Sequence, residues 1–334
     1  MFRYFGSKAS TASIVADATL GGYEGASIAD AFGGLGNIGA EFKLRGCSVT
    51  ACDLLRFPNA FQHVRLVCEE TPSFSKVKKF LGINSFESLS DYLNSRCEPD
   101  SWFVHEYSTI RRFFSGLNAA SIAGAWCEIS YWIKLGLVDD NEIKFLTASL
   151  LNSMDTVANT AGTYYAYLKA WDRKAKKEFR FCWYNGLVEG PKGAALYGDA
   201  LDSLSGSSFD VLYLDPPYNS RDYSRYYHLP ETLARFKEVE IDSNSMSGQP
   251  SERSKTGDNV RAAMKLPYLS SLIRSVGWRR LVVQYAEGAY ISLEDLAKEL
   301  SRYGSMKVHE VSALGYQSKN GVRKQTHHVF IVDK

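Results

Sequence analysis

The chain has 334 residues, of which 45% are hydrophobic and 23% charged, and its formal net charge is +2. That apolar content is enough for one large or two smaller hydrophobic cores. No run of about 18 apolar residues is present, which excludes a transmembrane helix. The N-terminus lacks an apolar signal core and a cleavage site, so we expect a cytoplasmic protein without a membrane partner. The balanced net charge neither favours nor excludes nucleic-acid binding, because a chain with this total can still have a local basic face.

The six cysteines form no Cys-x-x-Cys pair, and a chain of this length needs no disulfides. We expect them to be reduced thiols. His327 and His328 are the only adjacent histidines, and neighbours on a strand point to opposite faces, so the two cannot chelate one ion. The sequence therefore predicts no metal site.

Residues 1–8 read MFRYFGSK. Gly6 permits backbone conformations that other residues resist, and Ser7 is suited to cap a helix predicted over residues 9–20. Lys8 at a helix start is unfavourable for the helix dipole unless an anion lies there. Two interpretations stay open, an ordinary helix cap and a contact with an anionic ligand group.

Residues 27–39 read SIADAFGGLGNIG, a short apolar strand, a glycine-rich turn and the start of a helix predicted over 37–45. Gly34 and Gly36 let the backbone approach a ligand closely. A second predicted strand ends at Asp53, and an acid at this spacing is suited to hold two ribose hydroxyls. The pattern is typical of adenosine-binding folds, although a solvated strand end is the alternative for Asp53.

Residues 55–190 are dense in aromatics interleaved with charge, and helical patterns dominate, as in 119–135 and 141–151. Five basic residues lie between Trp171 and Trp183. Basic residues next to aromatics are suited to contact phosphates and stack on bases. Composition alone nevertheless favours a solvated helix followed by a strand in this segment.

Residues 209–218 read FDVLYLDPPY. The apolar run is typical of a strand buried on both faces of a parallel sheet. Pro216 and Pro217 have no backbone N–H, so the strand ends at Asp215. The Asp215–Tyr218 tetrad is thus predicted at the carboxyl edge of the sheet, where open α/β sheets bind ligands.

This tetrad suits the activation of an exocyclic amino group. The Asp215 carboxylate and the Pro216 carbonyl would each accept one amino hydrogen and free the nitrogen lone pair. The ring of Tyr218 would stack on a base turned out of a duplex. A proline-rich turn capped by an acid is the plainer alternative.

The segment that follows, residues 220–228, is aromatic and basic and reads SRDYSRYYH. It is a candidate wall of a base pocket, with a packed loop as the alternative. The candidate substrate-binding residues are Tyr218, Arg221, Tyr223, Arg225, Tyr227 and His228. Residues 242–259, poor in large apolar side chains, are predicted to form a mobile loop.

Later segments complete the predicted sheet. A buried strand is predicted over 281–285 and an amphipathic helix over 293–303. Residues 308–314 and 327–332 are predicted to close the sheet as an antiparallel hairpin. Asp199, within the LYGDAL of 196–201, is predicted to cap a helix over 199–205.

Residues 214–232, LDPPYNSRDYSRYYHLPET, resemble the catalytic segment of the alpha group of N6-adenine-specific DNA methyltransferases. The first 55 residues and the stretch from about 190 to 333 resemble the rest of that family's catalytic domain, with the motifs in the same order. The resemblance implies that S-adenosylmethionine is the methyl donor, with Lys8 near its carboxylate and Asp199 near its adenine. The residues that it places around the donor are Tyr4, Phe5, Gly6, Lys8, Asp30, Phe32, Gly34, Gly36, Asp53, Asp199 and Asp215.

The resemblance also implies an architecture. We expect an α/β fold with a Rossmann-like methyltransferase sheet, mostly parallel with a C-terminal antiparallel hairpin, plus a largely helical target-recognition insertion. Residues 1–54 and 191–334 would form the donor-binding catalytic domain, and residues 55–190 the DNA-binding region.

The expected function is site-specific transfer of a methyl group to the N6 amino group of a flipped adenine in double-stranded DNA. A cognate restriction endonuclease is the protein partner that such an enzyme would have. Two alternatives stay open: an amino methyltransferase acting on RNA or on cytosine N4, and a non-catalytic DNA-binding relic. The tetrad begins with Asp rather than Ser, which favours adenine over cytosine.

Overall fold

A computed structural model describes residues 2–4, 11–217, 222–252, 256–318 and 321–334, with the backbone alone for 312–318 and 321–325. The chain divides into two units. The sheet unit comprises Gly6–Glu69, Leu187–Asp222 and Lys255–Lys334. The helical unit comprises Met1–Phe5, Glu70–Gly186 and Tyr223–Ser254.

These bounds differ from the predicted domains in four places. Residues 55–69 and 187–190 belong to the sheet unit, and Met1–Phe5 and Tyr223–Ser254 belong to the helical unit. The segment that follows the tetrad therefore passes from the sheet unit to the helical unit between Asp222 and Tyr223. Which unit binds the donor and which reads DNA stays a prediction.

Seven strands form one sheet in the order β3-β2-β1-β4-β5-β7-β6. Strands β1 to β5 pair in parallel, β7 runs antiparallel to β5, and β6 runs antiparallel to β7. Their bounds are β1 Ser27–Asp30, β2 Ser48–Asp53, β3 Ala194–Tyr197, β4 Val211–Leu214, β5 Arg280–Ala286, β6 Ser305–Ser318 and β7 Gly321–Asp333. The predicted fold class, a mostly parallel sheet closed by an antiparallel hairpin, is confirmed.

The central strands are apolar on both faces because helices cover both. On β4, Leu212 and Leu214 belong to one buried cluster, while Val211 and Tyr213 belong to the other. This alternation explains why the sequence shows a continuous apolar run rather than a period of two. Tyr213 stays polar at its tip, and its hydroxyl donates to Gln284 Oε1 at 2.5 Å.

The helices of the sheet unit surround these clusters. They are α1 Ala12–Leu20, α2 Asn37–Leu44, α3 Arg56–Gln62, α9 Ala200–Leu204, α12 Thr256–Ala263, α13 Leu266–Ser275 and α14 Leu293–Leu300, and a π-helical turn over His63–Val67 extends α3. The helical unit contains α4 Ser75–Leu81, α5 Phe86–Asn94, α6 Trp102–Val104, α7 Gly116–Lys134, α8 Asp140–Asp155, α10 Tyr223–Tyr226 and α11 His228–Leu233, a π-helical turn over His105–Ile110 and a 3-10 turn over Lys174–Lys176. Within the described ranges, no helix combines the length and apolar character needed to cross a bilayer.

The prediction of a mobile loop over residues 242–259 is wrong for its last part, since 256–259 begin α12. Its first part is fastened to the rest of the helical unit. The Tyr107 hydroxyl donates to Gly248 O at 2.9 Å, and Arg111 donates to Ser245 O through Nε and Nη2. The sequence did not predict these contacts, because they are made to backbone carbonyls of the loop, and every residue type provides a backbone carbonyl.

A glycine inside α7 offers a stability test. A helix interior normally prefers Ala over Gly by about 1 kcal/mol. At Gly124, however, an added Cβ would lie 2.5 Å from Cys97 N and 2.6 Å from Arg96 O, both backbone atoms. We expect Gly124→Ala to destabilise the protein by about 1–3 kcal/mol, measured by chemical denaturation.

Gly116, in the first turn of the same helix, is the matched control because an added Cβ meets nothing within 4 Å. We expect Gly116→Ala to be neutral or slightly stabilising. Equal effects of the two substitutions would show that the packing of α7 against Arg96 and Cys97 is looser than described.

Candidate active site

Acidic side chains collect at the carboxyl edge of the parallel strands. Asp30 and Asp53 are the last residues of β1 and β2, and Asp215 follows β4 directly. Asp30 pairs with Tyr213 on one side and with Ala51 on the other. After β1 the chain continues to β2 on one side of the β1–β4 pair, and after β4 it continues to β5 on the other side. The strand order therefore reverses between β1 and β4, and open α/β sheets bind ligands at such a switch point.

Asp30 is the most unusual of these acids. It is 1% exposed, and neither carboxylate oxygen has a hydrogen-bond partner within the described residues. Burial raises the pKa of its carboxyl to about 7; the charges of Asp215 and Asp53 add to the rise, and the nearby Phe32 amide offsets part of it. An orphan buried carboxylate is costly, and it fits a ligand that brings a cationic or hydrogen-donating group.

The glycine-rich turn lies directly beside Asp30. Gly33 N donates to Cys52 O at 3.0 Å and Gly36 N to Gly33 O at 2.8 Å, which folds the turn tightly. An added Cβ on Gly33 would lie 3.3 Å from Asp30 Oδ2. Gly36 has a φ of +75° and caps the N-terminus of α2, a conformation that favours glycine. The turn therefore brings backbone close to the orphan carboxylate.

Sequence reasoning missed the residue that holds this turn. Gln62, the last residue of α3, is fully buried, and its Nε2 donates to Gly34 O at 2.9 Å. The turn and Gln62 are far apart in sequence, so no local motif connects them. Gln62 thus holds the turn through the carbonyl of Gly34.

The π-helical turn after Gln62 completes this support. Arg65 Nη1 donates to Asn37 Oδ1 at the start of α2. The buried Lys43 side chain in turn donates to the carbonyls of Arg65 and Leu66 at 3.2 and 3.1 Å. Such wider turns recur at functional sites, and here the turn is connected to both the glycine turn and α2.

Asp199 and an unpredicted tyrosine form a further part of this edge. Asp199 Oδ1 accepts hydrogen bonds from Leu201 N at 2.9 Å and from the Tyr268 hydroxyl at 2.6 Å. The predicted helix cap is therefore confirmed, while contact of Asp199 with a ligand stays a prediction. Burial and the Asp199 carboxylate raise the pKa of the Tyr268 hydroxyl. The ring of Tyr268 lies 6.5 Å from that of Phe32, which makes an aromatic pair beside the acid.

Of the predicted catalytic residues, Asp215, Pro216 and Pro217 are described, and Tyr218 lies outside the described residues. Asp215 and Pro217 are half-buried and Pro216 is buried. Asp215 is close enough to Asp30 for its charge to raise the pKa of Asp30. The structure thus brings Asp215 together with Asp30, Asp53 and the glycine turn, as predicted for one site. At Asp53 itself, Oδ1 accepts a hydrogen bond from Leu55 N at 2.9 Å.

Other predicted site residues belong to the helical unit. Tyr4 lies 5.0 Å from Tyr227 and 5.8 Å from Tyr223, measured between ring centroids. Tyr223 is half-buried and Arg225 is exposed. Phe5, Gly6, Lys8 and Arg221 lie outside the described residues.

Tyr227 and His228 are core residues of the helical unit, at 0% and 3% exposed. The Nε2 of His228 lies 2.9 Å from Tyr164 O. Burial lowers the pKa of His228 to about 4, so its ring is neutral at physiological pH. Their predicted contact with the substrate stays a prediction. No group of three metal-ligating side chains occurs among the residues that the structure describes.

Comparison with known proteins identifies the family. Residues 4–285 match the family model described as D12 class N6 adenine-specific DNA methyltransferase. The chain therefore belongs to the D12 class N6 adenine-specific DNA methyltransferase family, whose methyl donor is S-adenosylmethionine.

Curated relatives agree with this family. The chain is 26% identical over 300 residues to modification methylase LlaI of Lactococcus lactis subsp. lactis, covering 88% of this chain and 47% of the relative. It is 27% identical over 312 residues to the type II methyltransferase M.FokI of Planomicrobium okeanokoites, covering 89% and 46%. With M.NlaIII of Neisseria lactamica it shares 26% over 292 residues, covering 82% and 79%. The chain thus spans about half the length of the first two relatives.

The buried charge of Asp30 predicts a stability change with a definite pH dependence. Because its pKa rises from 3.8 to about 7 on folding, its contribution favours folding below about pH 4 and is lost as the pH rises through 7. A rise of this size corresponds to about 4 kcal/mol, of which an unsatisfied Asn amide would offset about 1–3 kcal/mol. We expect Asp30→Asn to raise the melting temperature at pH 8 and to have a smaller effect near pH 5, measured without donor.

Asp210 is the control with the opposite sign. Hydrogen bonds from the backbone N–H and hydroxyl of Ser27 lower the pKa of its carboxyl, so it stabilises the fold above its ordinary pKa and loses this effect in acid. Asp210→Asn should therefore lower the melting temperature at pH 8. A decrease for Asp30→Asn at every pH would contradict an unpaired carboxylate.

The support of the glycine turn predicts a binding defect. Gln62→Ala removes the hydrogen bond to Gly34 O, so the turn is less well held when a ligand binds it. We expect the dissociation constant for S-adenosylmethionine to rise about five- to tenfold, since a hydrogen bond of this kind is worth about 1–1.5 kcal/mol, measured by calorimetry.

Asn118→Ala is the control for general destabilisation. Asn118 is a buried amide of the helical unit that donates to Lys177 O and accepts from Phe179 N. Its loss should lower the melting temperature and leave donor affinity unchanged. If Gln62→Ala and Asn118→Ala weaken donor binding equally, the loss of affinity comes from general destabilisation and not from the hydrogen bond between Gln62 and the glycine turn.

Proposed function

We propose that this chain is a site-specific DNA methyltransferase of the alpha group, which transfers a methyl group from S-adenosylmethionine to the N6 amino group of adenine in duplex DNA. The observation that supports this most is the convergence of the glycine turn, Asp30, Asp53 and the Asp215-Pro216-Pro217 segment at one edge of the sheet unit. All of these residues lie inside the region that matches the family.

The chemistry of this edge fits the donor. The orphan carboxylate of Asp30 is suited to the ammonium group of the methionine part, which would supply the partner that Asp30 lacks. Asp53 is suited to the ribose hydroxyls. The Phe32 and Tyr268 rings, with Asp199 beside them, are suited to the adenine. Bound here, S-adenosylmethionine supplies an electrophilic methyl group on its sulfonium.

Asp215 and Pro216 prepare the amino group of the target base. Its nitrogen lone pair is delocalised into the ring, which makes it a weak nucleophile. The Asp215 carboxylate and the Pro216 carbonyl each accept one amino hydrogen, draw the nitrogen toward tetrahedral geometry and localise the lone pair, a stabilisation aimed at the transition state. As the bond between the nitrogen and the methyl group forms, the bond between that methyl group and the donor's sulfur would break, and the sulfur would keep the electron pair as a neutral thioether. The nitrogen would lose a proton, for which the Asp215 carboxylate is the acceptor next to it.

The segment that follows the tetrad supplies the DNA contacts in this proposal. Tyr218 stacks on the flipped base, and Arg221, Tyr223 and Arg225 contact the strand that carries it. The buried Tyr227 and His228 act from beneath by packing. The names of the relatives as modification and type II methylases support a partnership with a cognate restriction endonuclease in the cytoplasm, where the chain would protect the DNA.

The test of this function is methylation with a labelled donor. Purified protein should transfer label to duplex DNA, and nucleoside analysis should find it on adenine N6. Asp215→Ala should reduce turnover by about 100-fold or more, because it removes an acceptor used in the transition state, while donor and DNA binding remain. Asp202→Ala is the control, since Asp202 is an exposed acid of the same unit, and it should methylate normally.

Each alternative has its own outcome. Label on RNA alone or on cytosine alone contradicts the assignment to adenine in DNA. Donor and DNA binding by the unmodified chain without any turnover identifies a binding protein with a relic site.

A further inference from the structure

Two tyrosines of the helical unit form an exposed stack. Tyr165 is 47% exposed, and its ring lies on that of the half-buried Tyr226 with centroids 4.9 Å apart and planes at 22°. An exposed ring held flat by a second ring presents a π-face to solvent. Bases of any sequence stack on such faces, each worth about 1–3 kcal/mol.

The stack rests on buried supports. Tyr164 N donates to Tyr226 O at 2.8 Å, which joins the loop of Tyr165 to α10. The fully buried Tyr164 hydroxyl donates to Asp155 Oδ1 at 3.1 Å. The backbone carbonyl of Tyr164 accepts a hydrogen bond from Nε2 of the buried His228. The pair is thus presented on fixed backbone, and stacking a ligand on it costs little ordering entropy.

Uncompensated positive charge lies on the same segments. The exposed Arg225, next to Tyr226, donates from Nε to Gln249 Oε1 at 2.8 Å, which orients it without neutralising it. Arg112 lies over the Trp171 ring at 5.0 Å. Among the described residues, neither arginine forms an ion pair, and the exposed Lys169 forms none either. An acid, Asp172, directly follows Trp171, and it accepts a hydrogen bond from Lys174 N at 2.9 Å.

Buried Asn159 fixes the loop that carries Tyr165 and Lys169. Its Nδ2 donates to Arg112 O and to Leu168 O, both at 3.0 Å, and its Oδ1 accepts from Asp172 N at 2.9 Å. The loop from Thr160 to Trp171 is therefore a built surface rather than a loose connection. Fixed cations next to a stacking face are suited to a nucleic acid strand, whose phosphates and bases alternate.

We propose that Tyr165 and Tyr226 form a platform on which a base of the bound DNA stacks, with Arg112, Lys169 and Arg225 on the neighbouring phosphates. This inference rests on the proposed function, and it names the residues by which the helical unit holds the strand. Tyr226 follows Tyr218 closely in sequence, which ties the platform to the segment that binds the target base.

The test compares tyrosines of equal exposure. Tyr131, on α7, is also 47% exposed but faces Phe80 in an edge-on contact. We expect Tyr165→Ala to raise the KM for duplex DNA and the dissociation constant from fluorescence anisotropy about tenfold, with donor affinity and melting temperature unchanged. Tyr165→Phe should retain binding, and Tyr131→Ala should behave as the unmodified chain.

A salt series separates stacking from charge. Arg225→Gln should reduce the slope of log K against log salt by about one phosphate contact, while Tyr165→Ala should leave the slope unchanged. Normal DNA binding by Tyr165→Ala in an active enzyme overturns the platform and leaves the proposed function intact. Donor binding without DNA binding or methylation by the unmodified chain refutes the proposed function itself. Competition by a polyglutamate peptide that Tyr165→Ala abolishes would instead identify an acidic protein partner and overturn the platform.

Discussion

Parallel pairing of β1 with β4 is the constraint on which the site depends. Because both strands run the same way, the end of β1 at Asp30 and the turn after β4 at Asp215 meet at one edge. An antiparallel β4 would place Asp215 at the opposite edge of the sheet. The same pairing buries β1 between β2 and β4, so Asp30 has sheet on both sides and little access to water.

This constraint has an energetic consequence at Asp30. Burial disfavours the charged form of Asp30 and is the largest cause of its raised pKa, and the charges of Asp215 and Asp53 at the same edge add to the rise. A chain selected for stability alone would place a neutral or apolar residue there. An unpaired carboxylate is understandable here if a ligand supplies its partner, because the free energy of ligand binding then offsets the cost of burying the carboxylate. The glycine turn beside it, held by Gln62, belongs to the same arrangement.

The sequence predicted those parts of the site that are local. The glycine turn, the acids at strand ends and the proline-terminated strand each leave a pattern within a few residues, and the sheet with its hairpin follows from their order. Gln62, Tyr268 and the Tyr165–Tyr226 pair leave no such pattern, because each acts on a partner distant in the chain. The contacts at Ser245 and Gly248 leave no pattern either, because Tyr107 and Arg111 bind backbone carbonyls and so select no particular side chain in the loop.

The net charge of +2 conceals a different distribution of charge in each of the two units. The carboxyl edge of the sheet unit concentrates negative charge in a place of low dielectric, which suits a cationic donor and repels phosphate. In the helical unit, Arg112, Lys169 and Arg225 form no ion pair among the described residues, and such cations attract phosphate. In the proposed function these two fields would act on different parts of the DNA. Phosphates would contact the cations of the helical unit, and a single neutral base, once unstacked, would meet the carboxylates of the sheet unit. Because an adenine amino group donates hydrogens, the negative charge that repels phosphates attracts it, and an acidic edge would therefore favour the base over the backbone.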